Sequence, residues 1–294
     1  MKKIGLKRIN FYVVLNYIFV SLIALACVLP MILVLSISFS SDQAIRTYGY
    51  QLFPREFSLE AYRLLFQGGS GLFQSYFISI SVTVLGTFMA VLITFMAAFT
   101  LVNKNVKYRN TLAFFFFVPM VFSGGLVPWF LMCRALGLTD NFFALLIPSL
   151  LFSPFNMFLC RNFMRSSVPD SLMESAKLDG AGDFLIAFRI YLPLSTPVIA
   201  TVALFYGIAY WNDWFNAIML VNDENLFPLQ FMLMKIQSEI EMLQRLQPGV
   251  PVINLPGESL KMAAAVLTIG PIILLYPYLQ RYFVKGLVIG GVKG

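Results

Sequence analysis

The chain has 294 residues, of which 59% are hydrophobic and only 12% charged, with a net charge of +7 and no histidine. A soluble domain carries about 25% charged residues, and apolar runs of roughly 18 or more recur here, so the composition excludes a water-soluble globule and describes a polytopic membrane protein. The absence of histidine removes imidazole proton relays, histidine triads and most transition-metal sites, and the positive residues sit in short loops between apolar runs, which argues against a nucleic-acid partner.

Lys2, Lys3, Lys7 and Arg8 precede an apolar segment over 11–39. A signal peptide has an apolar region of roughly 7–15 residues. This run is longer, so it predicts an uncleaved first membrane helix. A polar connection, 40–71, leads to a second span over 72–102. The loop 103–110 holds Lys104, Lys107 and Arg109. A third span, 111–133, is interrupted by Pro119, Gly124, Gly125 and Pro128, and a short turn over 134–140 follows. The fourth span, 141–160, is broken at Pro148 and Pro154. A polar loop over 161–193 leads to a fifth span, 194–221. The outer segment 222–261 is helix-like from Glu239 to Arg245 and then makes proline-glycine turns. A sixth span, 262–283, ends in a short glycine-rich tail. The prediction is a single all-α domain, 1–294, with six transmembrane helices. Cys27, Cys133 and Cys160 all fall in or at the ends of apolar segments and read as small membrane-embedded residues, not as a disulfide frame or a metal site.

With the first residues in the cytoplasm and the spans alternating, 14 of the 21 Lys and Arg residues lie inside. That bias fits six spans with both termini cytoplasmic. It also places the 161–193 loop in the cytoplasm.

That loop contains the most polar long stretch of the chain, Val168 to Pro193. Pro169 can open a helix, and Asp170 and Glu174 suit its positive N-terminal end. Gly180 and Gly182 can end it in left-handed backbone conformation. Phe184, Leu185, Phe188 and Ile190 begin a second apolar run, and Pro193 and Pro197 mark the return to the membrane. Glu174, Ser175, Ala176, Gly180, Ile190, Leu192 and Pro193 satisfy the pattern E-[AS]-A-x3-G-x9-I-x-L-P. An amphipathic surface helix between two spans is the plainer reading of the same composition.

The chain holds no G-x4-G-K-[ST] phosphate loop, so any ATP that drives it is hydrolysed by another subunit. An ion-coupled secondary transporter is the alternative, but it needs ionisable groups inside its spans, and few exist. Asp213 is the main one. With Tyr206 and Tyr210 it stands at i, i+4 and i+7 on one expected helix face. Together with Trp211, Asn212 and, near the break, Asn156, these groups offer the stacking faces and hydrogen bonds of a sugar-lined path. An interfacial aromatic belt, with Asp213 paired to a neighbouring helix, accounts for them equally well. The outer segment is either a partner-binding surface or a cover for helix ends.

The E-[AS]-A pattern resembles the signature loop of the membrane subunits of bacterial ABC importers, with Ser175 in the usual second alanine position. The layout and Tyr210-Trp211-Asn212-Asp213-Trp214 resemble the carbohydrate permeases of the maltose-transporter class. Ser259 to Ala264, Tyr276 to Gly286 and Gly290 to Gly294 are similar to the subgroup importing larger saccharides, including polysaccharide and alginate-type importers. The resemblance implies a type I ABC importer permease fold in the bacterial cytoplasmic (inner) membrane, and a permease subunit that is not itself an enzyme. It implies a second, non-identical permease, two ATP-binding subunits carrying ATP and Mg, an extracytoplasmic solute-binding protein and a saccharide substrate, with no cofactor in this chain. Glu174, Ser175, Ala176, Asp179, Gly180 and Ala181 would form the ATPase dock. The tail residues Gly291, Val292, Lys293 and Gly294 would reach between the ATPases, and the outer segment would meet the binding protein.

Overall fold

A computed structural model describes residues 11–67, 71–148, 150–246 and 257–271. All regular structure among them is helical: α1 (Phe11–Ser38), α2 (Asp42–Tyr48), α3 (Glu60–Gln67), α4 (Gly71–Val102), α5 (Arg109–Val121), α6 (Leu126–Ala135), α7 (Phe142–Leu146), α8 (Pro154–Ser167) and α9 (Asp170–Leu178). Then come α10 (Asp183–Ile186), a π turn (Ala187–Tyr191), α11 (Leu192–Leu194), α12 (Thr196–Trp211), α13 (Phe215–Leu220), α14 (Leu229–Leu246) and a last helix, α15, over 258–271.

The chain packs as two units, one from Met1–Gly68 with Glu239–Ile269, the other from Gly69–Ser238 with Gly270–Gly294. In the first, α1 is apolar all round and buries only its last turn, at Ser36, Ile37 and Ser38. Ser41 opens α2 by accepting the Ala44 N–H at 3.1 Å. Asp42 accepts the backbone N–H groups of Gly257 and, at 3.1 Å, Ser259, where α15 begins.

In the second unit, α4 packs against α8 and α12. One side of α4, including Ile78, Val82, Ala90, Phe95, Ala98 and Phe99, enters the core. Tyr12–Ser38 and Gly71–Val102 are each long and apolar enough to cross a membrane. Two further stretches qualify only as bent pairs, Arg109–Val121 with Leu126–Ala135 at 119° and Asp183–Leu194 with Thr196–Trp211 at 84°.

The expected third span therefore breaks at its glycines, where Gly125 takes φ 83°. The expected fifth span starts after a sharp bend at Ser195 and stops at Trp211, with α13 separate. The expected fourth span is not one helix. It is the five-residue α7 and the fourteen-residue α8, joined by irregular chain. Pro154 does not break a helix but begins α8, where its missing N–H costs nothing. α8 continues past Cys160 to Ser167, so Arg161 and Arg165 stand on a helix rather than in a loop. The helix of the outer segment begins at Leu229, ten residues ahead of the stretch that looked helical in sequence. The sixth span is described only as far as residue 271.

Candidate functional site

The polar loop folds as its pattern demands. Pro169 takes an extended conformation and α9 starts at Asp170. Three hydrogen bonds close the helix: Asp179 N–H to Ser175 C=O at 3.0 Å, Gly180 N–H to Lys177 C=O at 3.0 Å and Ala181 N–H to Ala176 C=O at 2.9 Å. The last two are the paired bonds of a Schellman cap, which requires the residue after the cap to be left-handed. Gly180 is that residue, with φ 80°. Gly182, expected to be left-handed as well, has φ −72° and simply precedes α10.

This cap divides the motif by role. Ala176 and Ala181 are half-buried against the core, and small side chains there let the turn close. Glu174, Ser175, Asp179 and Gly180 face outward. So do Leu178, 89% exposed, which the sequence reading did not single out, and Phe184, 71% exposed, which it placed at the start of an apolar run.

The short basic loop braces α9 and α10, a contact the sequence reading also missed. Lys104 Nζ lies 2.5 Å from Asp170 Oδ2, and Asn103 Nδ2 donates to Asp183 Oδ1 at 3.1 Å. Lys177 lies 3.3 Å from the same Asp183 carboxylate. These pairs are largely solvent-exposed and contribute at most about 1 kcal/mol each. They set the position of α9 and α10 more than their stability.

The residues expected along a sugar path divide sharply. Tyr206 and Tyr210 share one face of α12 and are buried. Asp213 does not join them, because α12 ends at Trp211; its carboxylate turns to Asn216, accepting from Nδ2 at 2.7 Å and from the backbone N–H at 3.2 Å. Trp211 and Asn156 are buried, whereas Asn212 is exposed and takes a 3.0 Å bond from Gln230 Nε2.

The buried polar groups answer a specific need. The break between α7 and α8 frees backbone groups that a membrane interior cannot hydrate. The Tyr210 hydroxyl donates to Leu146 C=O at 2.8 Å, where α7 ends. Asn216 Nδ2 donates to Pro148 C=O at 3.2 Å. The Tyr206 hydroxyl accepts the Ser153 N–H at 2.9 Å, where α8 begins, and lies 2.7 Å from Thr94 Oγ1 on α4. α12 and α13 thus satisfy three backbone groups of the broken span. The tail residues Gly291, Val292, Lys293 and Gly294 lie outside the described residues.

Residues 83–289 match the family described as binding-protein-dependent transport system inner membrane component. The chain belongs to that family. Among curated relatives of this inner membrane component, the polygalacturonan/rhamnogalacturonan transport system permease protein YtcP of Bacillus subtilis (strain 168) is 38% identical over 95% of this chain and 97% of its own length. Protein LplC of the same organism is 37% identical over 96% and 94% respectively. Among solved structures, a chain of a bacterial ABC transporter involved in the import of the acidic polysaccharide alginate superposes with a TM-score of 0.80 and 31% identity, covering 92% of this chain and 96% of that one. The fold is therefore that of an ABC importer permease, and the protein is a membrane subunit of an importer rather than an ion-coupled carrier.

Proposed function

We propose that this permease forms half of the membrane pathway for an oligosaccharide or polysaccharide delivered by an extracytoplasmic solute-binding protein. A second, non-identical permease supplies the other half. Two ATP-binding subunits, which carry ATP and Mg, dock on the loop over 168–193. Both termini are cytoplasmic, the residues 291–294 reach between the ATPases, and the outer segment meets the binding protein.

One observation carries the docking reading: a Schellman-closed helix holds Glu174, Asp179 and the apolar Leu178 outward. Exposed apolar side chains rimmed by charge mark a protein interface. The named substrates of the relatives support a saccharide. Of the expected pathway residues, Asn212 is exposed and Asp213 half-buried, whereas Tyr206, Tyr210, Trp211 and Asn156 are buried. Binding of ATP moves the docks, and the permease pair alternates between outward and inward access, a coupling of two sites through a two-state element.

The test is uptake of labelled oligosaccharides by cells lacking and then regaining this subunit. ATP-dependent uptake restored for one saccharide class supports the reading. Uptake that survives ATP depletion while the ion gradient is kept contradicts it.

A further inference from the structure

The loop proposed as the ATPase dock has two arms of different stiffness. On the incoming side, α8 runs unbroken from its Ser153 cap to Ser167, three residues before α9. On the outgoing side, the chain passes through the π turn Ala187–Tyr191 and the 84° bend at Ser195 before α12 begins. A displacement of α9 is therefore carried to the far end of α8 with little loss, and it arrives at the break in span four.

We infer that Tyr206 and Tyr210 are positioning residues for transport, tying the two sides of that break to α12 so that α8 and α12 move as one lever with the dock. The inference rests on the docking reading above. Its geometry is specific. The Tyr206 hydroxyl holds the N–H of Ser153, the cap of α8, and, through Thr94, the central helix α4. The Tyr210 hydroxyl, one turn along the same face, holds the last turn of α7. Both rings are only 2% exposed, so neither hydroxyl has water as a substitute partner. Without them the joint between α7 and α8 keeps, among the described residues, only the Asn216 bond to Pro148 C=O, from α13, and no tie to α12. A push on α9 is then absorbed by bending span four and fails to reach α12.

The experiment uses the complete reconstituted transporter, with Cys27, Cys133 and Cys160 replaced by alanine. Spin labels are placed at Arg165→Cys on α8 and Thr196→Cys on α12, both exposed positions. With the native tyrosines, the label separation is expected to be the same in the nucleotide-free and ATP-trapped states. In Tyr206→Phe/Tyr210→Phe it broadens, and saccharide moved per ATP hydrolysed falls by at least about fivefold, the lower end of coupling between distant sites. ATPase turnover and the amount of assembled complex persist, which a merely destabilised subunit would not show. If that double variant fails to assemble, the single variants Tyr206→Phe and Tyr210→Phe decide, since each removes one tie and leaves both rings in place; an unchanged transport ratio in both overturns the proposal. A native separation that changes between states overturns it too. A native subunit that binds no ATPase at all removes the docking reading instead.

Discussion

The ring of Tyr210 fills the space above Gly86 on α4, where a Cβ would come within 2.4 Å of it. The contact lets α4 and α12 approach closely and aims the phenol at Leu146 C=O. Gly86→Ala must push the ring away from that carbonyl. Overpacking of this kind costs about 1–3 kcal/mol. Thermal unfolding of the purified subunit in detergent is expected to show Gly86→Ala clearly less stable. Alanine at Gly124, where the nearest heavy atom to an added Cβ is at 3.8 Å, meets no such clash.

Gly180 makes a different demand. Nothing lies within 4 Å of a Cβ built on it, so the constraint is its φ of 80° alone. A left-handed residue other than glycine costs about 1–2 kcal/mol, least for asparagine. Gly180→Val is expected to fray the end of α9, Gly180→Ala less, and Gly180→Asn least. Amide hydrogen exchange at Ala181 gives that order directly.

Asp140, in a left-handed turn at φ 55°, accepts the N–H groups of Asn222 at 2.9 Å and Asp223 at 2.8 Å. Those two bonds hold its carboxyl below the usual carboxylate range. A depressed folded pKa adds stability above the unfolded value, near 3.9, and loses it as pH falls through the folded value. Exchange protection of the Asn222 and Asp223 amides is therefore expected to hold through the ordinary aspartate range and fail only below it. Asp140→Ala removes the protection at every pH, and Asp140→Asn removes part of it.

Asp42 serves the start of α15 as a cap contributed from a distant part of the sequence. Loss of a capping side chain costs about 1 kcal/mol. Asp42→Ala is expected to raise exchange at the Ser259 amide, and Asp42→Asn, which keeps one acceptor oxygen, to raise it less.

The fold of the loop over 168–193 was readable in the sequence because its cap is a local code. Ala176, Gly180 and Ala181 are spaced by the geometry of one helix end and need nothing from the rest of the chain. Gly124 and Gly125 likewise marked where span three breaks, and Pro148 and Pro154 flank the break of span four. The parts that were not readable depend on distant partners. A phenol at Tyr206 looks the same in sequence whether it faces a sugar or the Ser153 N–H, and only the packing of α12 on α8 distinguishes the two. The same holds for Lys104 and Asn103, which looked like an ordinary basic loop until Asp170 and Asp183 were placed beside them. Asp213 left the tyrosine face because α12 stops at Trp211, a boundary with no proline or glycine to announce it.

The central claim is that the loop over 168–193 is the dock for an ATPase. Co-purification tests it most directly, comparing the native subunit with Glu174→Arg/Gly180→Pro, both inserted in the membrane at equal level. The account predicts that the native subunit retains the ATPase and that the variant loses it. Equal retention by both would contradict the claim and move the dock elsewhere on the chain.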